Sequence, residues 1–215
     1  MNYPDSKVMS LNKEEMLREE IVNYGRLLYE RGLTTATGGN ISARLDDETI
    51  LITPSGIRKG EMKKEDIVLM KLDGSWSGSR RPSIESPLHT SLYRREGIGA
   101  VIHAHPPCCT ALAVASTKLM TSMLPEGVMI LGEVPLIPYR RPGSEELADE
   151  IMNAGDKARG YLLEKHGALT VGRNLAEAFG RMEEMEFIAS VQLKVMSLER
   201  PRGLSSSEMK ELKEF

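Results

Sequence analysis

Only two cysteines occur, Cys108 and Cys109, and they are adjacent. Neighbouring cysteines rarely bridge one another, so the chain has no disulfide framework and suits a reducing compartment. Long apolar runs are missing too. The N-terminal stretch MNYPDSKVMSLNKEE has no apolar core of signal-peptide length, and the least polar stretch, Ala111 to Leu131, is broken by Lys118, Pro125 and Glu126. Neither reads as a membrane span or a secretion signal, and the expectation is a cytoplasmic protein with no membrane partner. Charge of one sign is also not in excess, with 28 basic side chains against 31 acidic ones. Nucleic-acid binding calls for a basic surplus or stripe. The pairs Lys63-Lys64, Arg80-Arg81, Arg94-Arg95 and Arg140-Arg141 are scattered, so nucleic acid is not an expected partner. Repeats, low-complexity segments and domain linkers are absent as well.

What remains is an ordinary globular composition. The 215 residues are 40% hydrophobic, enough for a sizeable core within one domain spanning residues 1–215. Asn12 followed by Glu15 reads as a capping box, and Leu17, Ile21, Tyr24 and Leu28 recur at helical spacing up to Gly32. Strand-like runs follow at Asn40 to Arg44, Thr49 to Thr53 and Ile67 to Leu72. Residues Ser86 to Arg95 read as a helix and Gly99 to His103 as a buried strand. Pro107 suits the first turn of a helix reaching Ala115, where its missing N–H is not needed. Short strands are predicted at Val128–Leu131 and Val134–Ile137, then a helix capped by Ser144 and ending near Asn153. Strands at Tyr161–Glu164 and Ala168–Val171 flank His166-Gly167, where Gly167 allows a tight turn that aims the His166 side chain into a cleft. A second capping box, Asn174 with Glu177, opens a last long helix whose stripe is Leu175, Phe179, Met182, Met185, Ala189, Leu193 and Met196. Past Pro201 the chain is polar and reads as a frayed end. Strands and helices interleave throughout, which indicates an α/β fold.

Four histidines carry the chemical signal. His103 and His105 are two apart at a strand end, so their side chains share a face. With His166 from a second strand end they make three corners of a tetrahedral site that keeps a fourth position open. Buried core histidines would read the same way, and the three residues alone leave both open. His89, four residues after Glu85 on a predicted helix, reads as a packing or supporting imidazole. Glu85 at a helix start is either a cap or a general base beside such a site. Three small-residue segments, Thr37-Gly-Gly-Asn40, Thr53-Pro-Ser-Gly56 and the run through Ser83, could each be a tight turn or an anion cradle.

Taken in order, TGGNISAR (37–44), ITPSGI (52–57), PSIES (82–86), VIHAHPP (101–107) and EKHGALTVG (164–172) resemble the class II aldolase family, and most closely its fuculose-phosphate aldolases. The resemblance runs from the first predicted helix to the last. It implies a three-layer α/β/α domain with a largely antiparallel central sheet. It also implies a homotetramer with active sites near subunit interfaces. It gives His103, His105 and His166 as zinc ligands and Glu85 as the catalytic acid/base. Gly39, Asn40, Thr53, Ser55, Gly56 and Ser83 lie in the segments matching the phosphate-binding loops. The implied reaction is retro-aldol cleavage of a ketose 1-phosphate, of the fuculose 1-phosphate type, to dihydroxyacetone phosphate and an aldehyde such as lactaldehyde. Sugar-phosphate 4-epimerases and methylthioribulose-1-phosphate dehydratases of the family are alternatives, as are manganese or cobalt in place of zinc. The adducin-like, non-catalytic members share the fold but lack the histidine set. Two departures concern substrate: Ile84 replaces the second serine often seen before the glutamate, and no residue clearly matches the aldolases' proton-donating tyrosine, Tyr139 matching a different position.

Overall fold

The computed structural model of the protein describes residues 6–212, with side chains described from residue 12. It opens with helix α1 (Ser6–Glu30). Asn12 lies inside that helix rather than at its start, so the first expected capping box is not a cap. The helix closes as expected at Gly32, which takes the left-handed φ of +68° that glycine adopts without a Cβ clash.

Seven strands follow: β1 (Asn40–Arg44), β2 (Thr49–Ile52), β3 (Val68–Lys71), β4 (Ala100–Ala104), β5 (Leu136–Ile137), β6 (Gly160–Leu163) and β7 (Gly167–Gly172). They form one sheet in the order β3-β2-β1-β4-β7-β6-β5. Every pairing is antiparallel except β5 with β6. Helices α2 (Ser86–Leu92), α3 (Pro107–Val114), α4 (Glu145–Asn153) and α5 (Leu175–Leu198) complete the main architecture.

Strands β2, β4, β6 and β7 carry apolar residues on both faces, as a sheet covered on both sides requires. On one face Ile41, Ala43, Ile102 and Ala168 pack with Ile21 and Leu28 of α1, Leu112 of α3 and Met182, Met185 and Ile188 of α5. On the other, Ile50, Ile52, Val101, Leu169 and Val171 pack with Leu88 and Leu92 of α2 and Leu147 and Ile151 of α4. The alternation of side chains feeds both cores along every strand but β1, whose second face carries Asn40, Ser42 and Arg44. These are the three layers the family resemblance implies. Truncating one of these buried aliphatic side chains to alanine costs about 2–5 kcal/mol.

Cap chemistry is mostly as the residues predict. Ser144 Oγ accepts the Leu147 N–H at the start of α4, and Asn174 Oδ1 accepts the Glu177 N–H at the start of α5. The reciprocal half of that second box is displaced, because Glu177 takes the Arg173 N–H instead. Val128–Leu131 is not the predicted strand but part of a π-helical turn, Gly127–Leu131. A short apolar run has no periodicity to separate strand from helix. Here the turn drives Leu131 into the core and brings Gly127 so near Ile188 of α5 that a Cβ would meet its Cδ1 at 2.7 Å. Beyond Pro201, where composition predicts a frayed end, helix α6 (Ser206–Glu211) is capped by Ser205, whose box with Glu208 is complete. The Leu204 N–H also ties this segment to Ser122 O at 2.7 Å. No helix among the described residues is long and apolar enough to cross a membrane.

Candidate active site

Two neighbouring strand ends supply the imidazoles. His103 is on β4 and His105 just beyond it, while His166 is in the turn that joins β6 to β7. Ala104 of β4 is registered with Ala168 of β7, so the two strand ends lie side by side. The turn owes its shape to Lys165, which takes the left-handed φ of +55°, rather than to Gly167 as the motif suggests. Gly167 serves a different need: a Cβ there would sit 2.5 Å from Ala104 O and 2.6 Å from His105 Cδ2. Only glycine lets the His166 turn come this close to the His103–His105 strand.

The three rings converge, with centroids 4.6 to 5.3 Å apart. Their candidate ligand atoms all lie within 4.8 Å of one another, and among the described residues this is the one histidine, cysteine and carboxylate cluster able to hold a metal ion. The donor chemistry fits a cation. His103 Nδ1–H donates to Ala168 O at 2.9 Å, which leaves Nε2 with a lone pair facing inward. His105 Nε2 is only 3.0 Å from it, and His166 Nδ1 is buried without a hydrogen-bond partner. Burial holds His103 down to about 3, with the neighbouring His105 adding to the effect. Burial, followed by His103, takes His166 to about 4, and burial lowers His105 as well. All three are therefore neutral near pH 7, the form that can ligate.

Glu85 closes the cluster from the opposite side. It stands just before α2 and is buried, 6% exposed. Its Oε2 lies 3.3 Å from His103 Nε2 and its Oε1 lies 3.4 Å from His166 Nε2. Asn40 Nδ2 donates to Oε2 at 2.7 Å, whereas Oε1 is buried with no hydrogen-bond partner. Such an orphan carboxylate oxygen is costly in a protein interior, and a cation or a protonated substrate atom would satisfy it.

The three small-residue segments are knitted together beside Glu85. Ser83 N–H donates to Thr53 O at 3.1 Å and Ser55 N–H to Arg81 O at 3.0 Å. The Ile41 N–H donates to Thr53 Oγ1 at 3.2 Å, and the Glu85 N–H to Ser83 Oγ at 3.3 Å. Gly39 and Gly56 both take positive φ, +70° and +77°. A Cβ at Gly39 would lie 2.7 Å from His103 O. Asn40, Thr53 and Ser83 are thus buried in the wall next to the carboxylate, and Ser55 and Gly56 form an exposed turn at its rim. Ile84 points outward, 68% exposed, and Tyr139 is also exposed, in the segment after β5.

Lys59 is a site residue that sequence reasoning missed. It is 1% exposed, and its Nζ donates to Thr37 O at 3.1 Å, in one candidate anion loop, and to Ile57 O at 2.9 Å, just past the end of another. Burial lowers it to about 8, opposed by the charge of Glu85. Its signal was hidden in a basic, exposed-looking run, Arg58-Lys59, and no spacing rule marks a lysine that folds inward.

Residues 19–193 match the family described as Class II Aldolase and Adducin N-terminal domain. The chain belongs to the class II aldolase family. It is 33% identical over 208 residues to 3-oxo-tetronate 4-phosphate decarboxylase of Pectobacterium atrosepticum, covering 94% of this chain and 95% of that one. It is 37% identical over 209 residues to 5-deoxy-D-ribulose 1-phosphate aldolase of Bacillus thuringiensis, covering 95% of each. A solved L-fuculose 1-phosphate aldolase superposes with a TM-score of 0.84 at 35% identity, over 92% of this class II aldolase and 94% of its own chain. The protein is an enzyme of the lyase type that its relatives represent. Its central sheet, antiparallel but for one edge pairing, is the fold expected of the family.

Proposed function

We propose that this class II aldolase is a zinc enzyme that cleaves a ketose 1-phosphate to dihydroxyacetone phosphate and a short aldehyde. The observation that carries the reading is the convergence of three neutral imidazoles on a buried carboxylate with one oxygen left unpartnered. His103, His105 and His166 would hold the ion. A divalent ion there supplies Lewis-acid polarisation of the substrate carbonyl. Gly39, Asn40, Thr53, Ser55, Gly56 and Ser83 cradle the phosphate with backbone N–H groups and hydroxyls, and so fix the reacting carbons relative to Glu85. When the C3–C4 bond breaks, its electron pair stays on C3, next to the carbonyl. Glu85 delivers the proton to that carbon, and in the reverse direction removes it. The proton of the C4 hydroxyl leaves as the aldehyde forms. Both 5-deoxy-D-ribulose 1-phosphate and fuculose 1-phosphate fit this description, yielding acetaldehyde and lactaldehyde respectively.

Decarboxylation of 3-oxo-tetronate 4-phosphate is the second reading, favoured by the relative with that activity. The chemistry differs by one bond. Loss of carbon dioxide from C1 leaves the electron pair on C2, beside the 3-oxo group, and protonation there by Glu85 again yields dihydroxyacetone phosphate. No hydroxyl proton leaves in that reaction, so it needs no counterpart of the unmatched tyrosine. Residues 1–215 would act as one domain, in a cytoplasmic homotetramer whose sites lie near subunit interfaces. The exposed apolar side chains Met129, Ile130, Phe187 and Met196 support such an assembly.

Purified protein with its metal content measured should be offered both ketose 1-phosphates, 3-oxo-tetronate 4-phosphate, ribulose 5-phosphate and methylthioribulose 1-phosphate. Dihydroxyacetone phosphate together with an aldehyde supports the aldolase reading, and dihydroxyacetone phosphate with carbon dioxide the decarboxylase. Epimer or dehydrated product from the last two substrates would overturn both. A protein that binds no divalent metal and turns over none of the five would bring back the non-catalytic, adducin-like alternative.

A further inference from the structure

Behind Glu85 runs a buried chain of side chains that starts at Asn40 and continues through His89, Ser42 and Tyr93, three residues that the proposed reaction does not use. Asn40 Nδ2 donates to Glu85 Oε2 at 2.7 Å. Asn40 Oδ1 is in turn hydrogen-bonded to His89 Nε2. His89 Nδ1 meets Ser42 Oγ at 2.6 Å, and Ser42 Oγ meets the Tyr93 hydroxyl at 2.8 Å. Asn40, Ser42, His89 and Tyr93 are all at most 3% exposed. Such a chain, bridging strand β1 and helix α2 in the low dielectric of the interior, is costly unless every member is satisfied.

The direction of each bond follows from what each group can do. A carboxylate only accepts, so the Asn40 amide must present its NH₂ to Glu85 and its oxygen to His89. His89 must then carry its proton on Nε2. Complete burial pushes the His89 imidazole down to about 3, so it is neutral and Nδ1 is an acceptor. Ser42 therefore donates to Nδ1 and accepts from the phenol of Tyr93, which burial keeps protonated by raising it above its ordinary value. The whole chain points one way, from Tyr93 to Glu85. With the other His89 tautomer, the Asn40 oxygen would lose its donor, and the flipped amide would face the carboxylate with an oxygen.

We infer that His89 is a positioning residue: by holding the Asn40 amide in one orientation it ties back Glu85 Oε2 and leaves Oε1 as the oxygen that handles the proton. This rests on the acid/base reading of Glu85. His89 makes no hydrogen bond to the ligand atoms of the imidazole cluster, and of the candidate phosphate loops it meets only the Asn40 side chain, whose amide is engaged by His89 and Glu85, so its contribution belongs to turnover rather than to binding.

The test combines a spectroscopic measurement with a variant series on the metal-loaded enzyme. Long-range nitrogen–proton correlation NMR on the wild type should show His89 as the Nε2–H tautomer throughout pH 6 to 8; an Nδ1–H tautomer or an imidazolium would overturn the inference. His89→Leu should lower kcat about 100-fold, the scale of a displaced catalytic group, with KM within about threefold and metal content unchanged. His89→Gln, which can still donate to Asn40, should recover kcat to within about fivefold of wild type. Ser42→Ala, a milder change should His89→Leu fail to fold, should lower kcat about three- to tenfold by releasing the tautomer. Glu85→Gln is the reference. Its inactivity alongside full turnover in His89→Leu and Ser42→Ala would remove the role of His89 alone. Full turnover in Glu85→Gln would remove the acid/base reading and this inference with it. A His89→Leu loss expressed in KM or in metal content would also count against positioning.

Discussion

The N-termini of α2 and α3 each meet a carboxylate, and the two are treated in opposite ways. At α3, Glu186 reaches across from α5 and accepts the backbone N–H groups of Cys108 and Cys109, both at 2.9 Å. Its two oxygens are occupied by donors that the helix end would otherwise leave unpaired. At α2, Glu85 accepts one hydrogen bond from Asn40, and its other oxygen is buried without a donor among three lone-pair-bearing imidazoles. The first arrangement closes a local account and stabilises the fold. The second is locally unsatisfied, held in place by surrounding structure, and answered only by a cation or a substrate proton. Burial and a helix start do not separate a structural carboxylate from a chemical one; the census of donors does.

Metal removal should separate the two regions most sharply. Chelation followed by dialysis should abolish turnover and zinc should restore it, while the α3 end is untouched; full activity in a sample shown to be metal-free would end the metal reading. Next comes Glu85→Gln, which keeps shape and removes the proposed proton-handling group. Turnover should drop by about 10²–10⁴-fold with metal retained, as followed by dihydroxyacetone phosphate release.

Acid should act on the imidazole region next. The folded values of about 3 for His89 and His103 and about 4 for His166 lie below the unfolded value near 6.5. Between these limits the unfolded chain binds more protons than the folded one, so their contribution is complete above pH 6.5 and is lost as pH falls toward about 3. Denaturant melts of metal-free protein at pH 7.5, 6 and 5 should show declining stability. A flat series would mean that the imidazoles are solvated rather than buried. The smallest effect is expected at α3, where Glu186→Ala should cost about 1–2 kcal/mol of unfolding free energy. Its kcat should remain within about twofold of wild type, and a large loss of turnover would erase the distinction between the two carboxylates.

Much of this was legible along the chain. The strand at 40–44, the caps at Ser144 and Asn174, Pro107 in the first turn of α3 and the stripe of α5 from Leu175 to Leu193 all follow from local rules, and the structure has them; Met196, at the end of the expected stripe, is exposed instead. The misreadings also have local causes. Asn12 looked like a cap because capping residues occur inside helices too, and Val128–Leu131 looked like a strand because four apolar residues carry no period. Gly167 was rightly singled out for a wrong reason: the motif suggested that it allows the tight turn, yet the turn's left-handed residue is Lys165 and the need at Gly167 is close approach to Ala104 O.

The sequence alone determined which groups are available for chemistry. Three imidazoles, one carboxylate and three small-residue loops appear in an order that specifies the family, because their identity is covalent and their immediate backbone preferences are short-range. Only the tertiary structure decided how they face one another. The Asn40–Glu85 contact joins residues 45 apart in sequence, and the His103–Ala168 bond joins residues 65 apart. Bonds across such separations fix the Asn40 amide and the tautomers of His89 and His103, and through them which carboxylate oxygen is left without a donor. No pattern along the chain encodes that choice, because it is set by how strands β1, β4 and β7 register against one another and against α2.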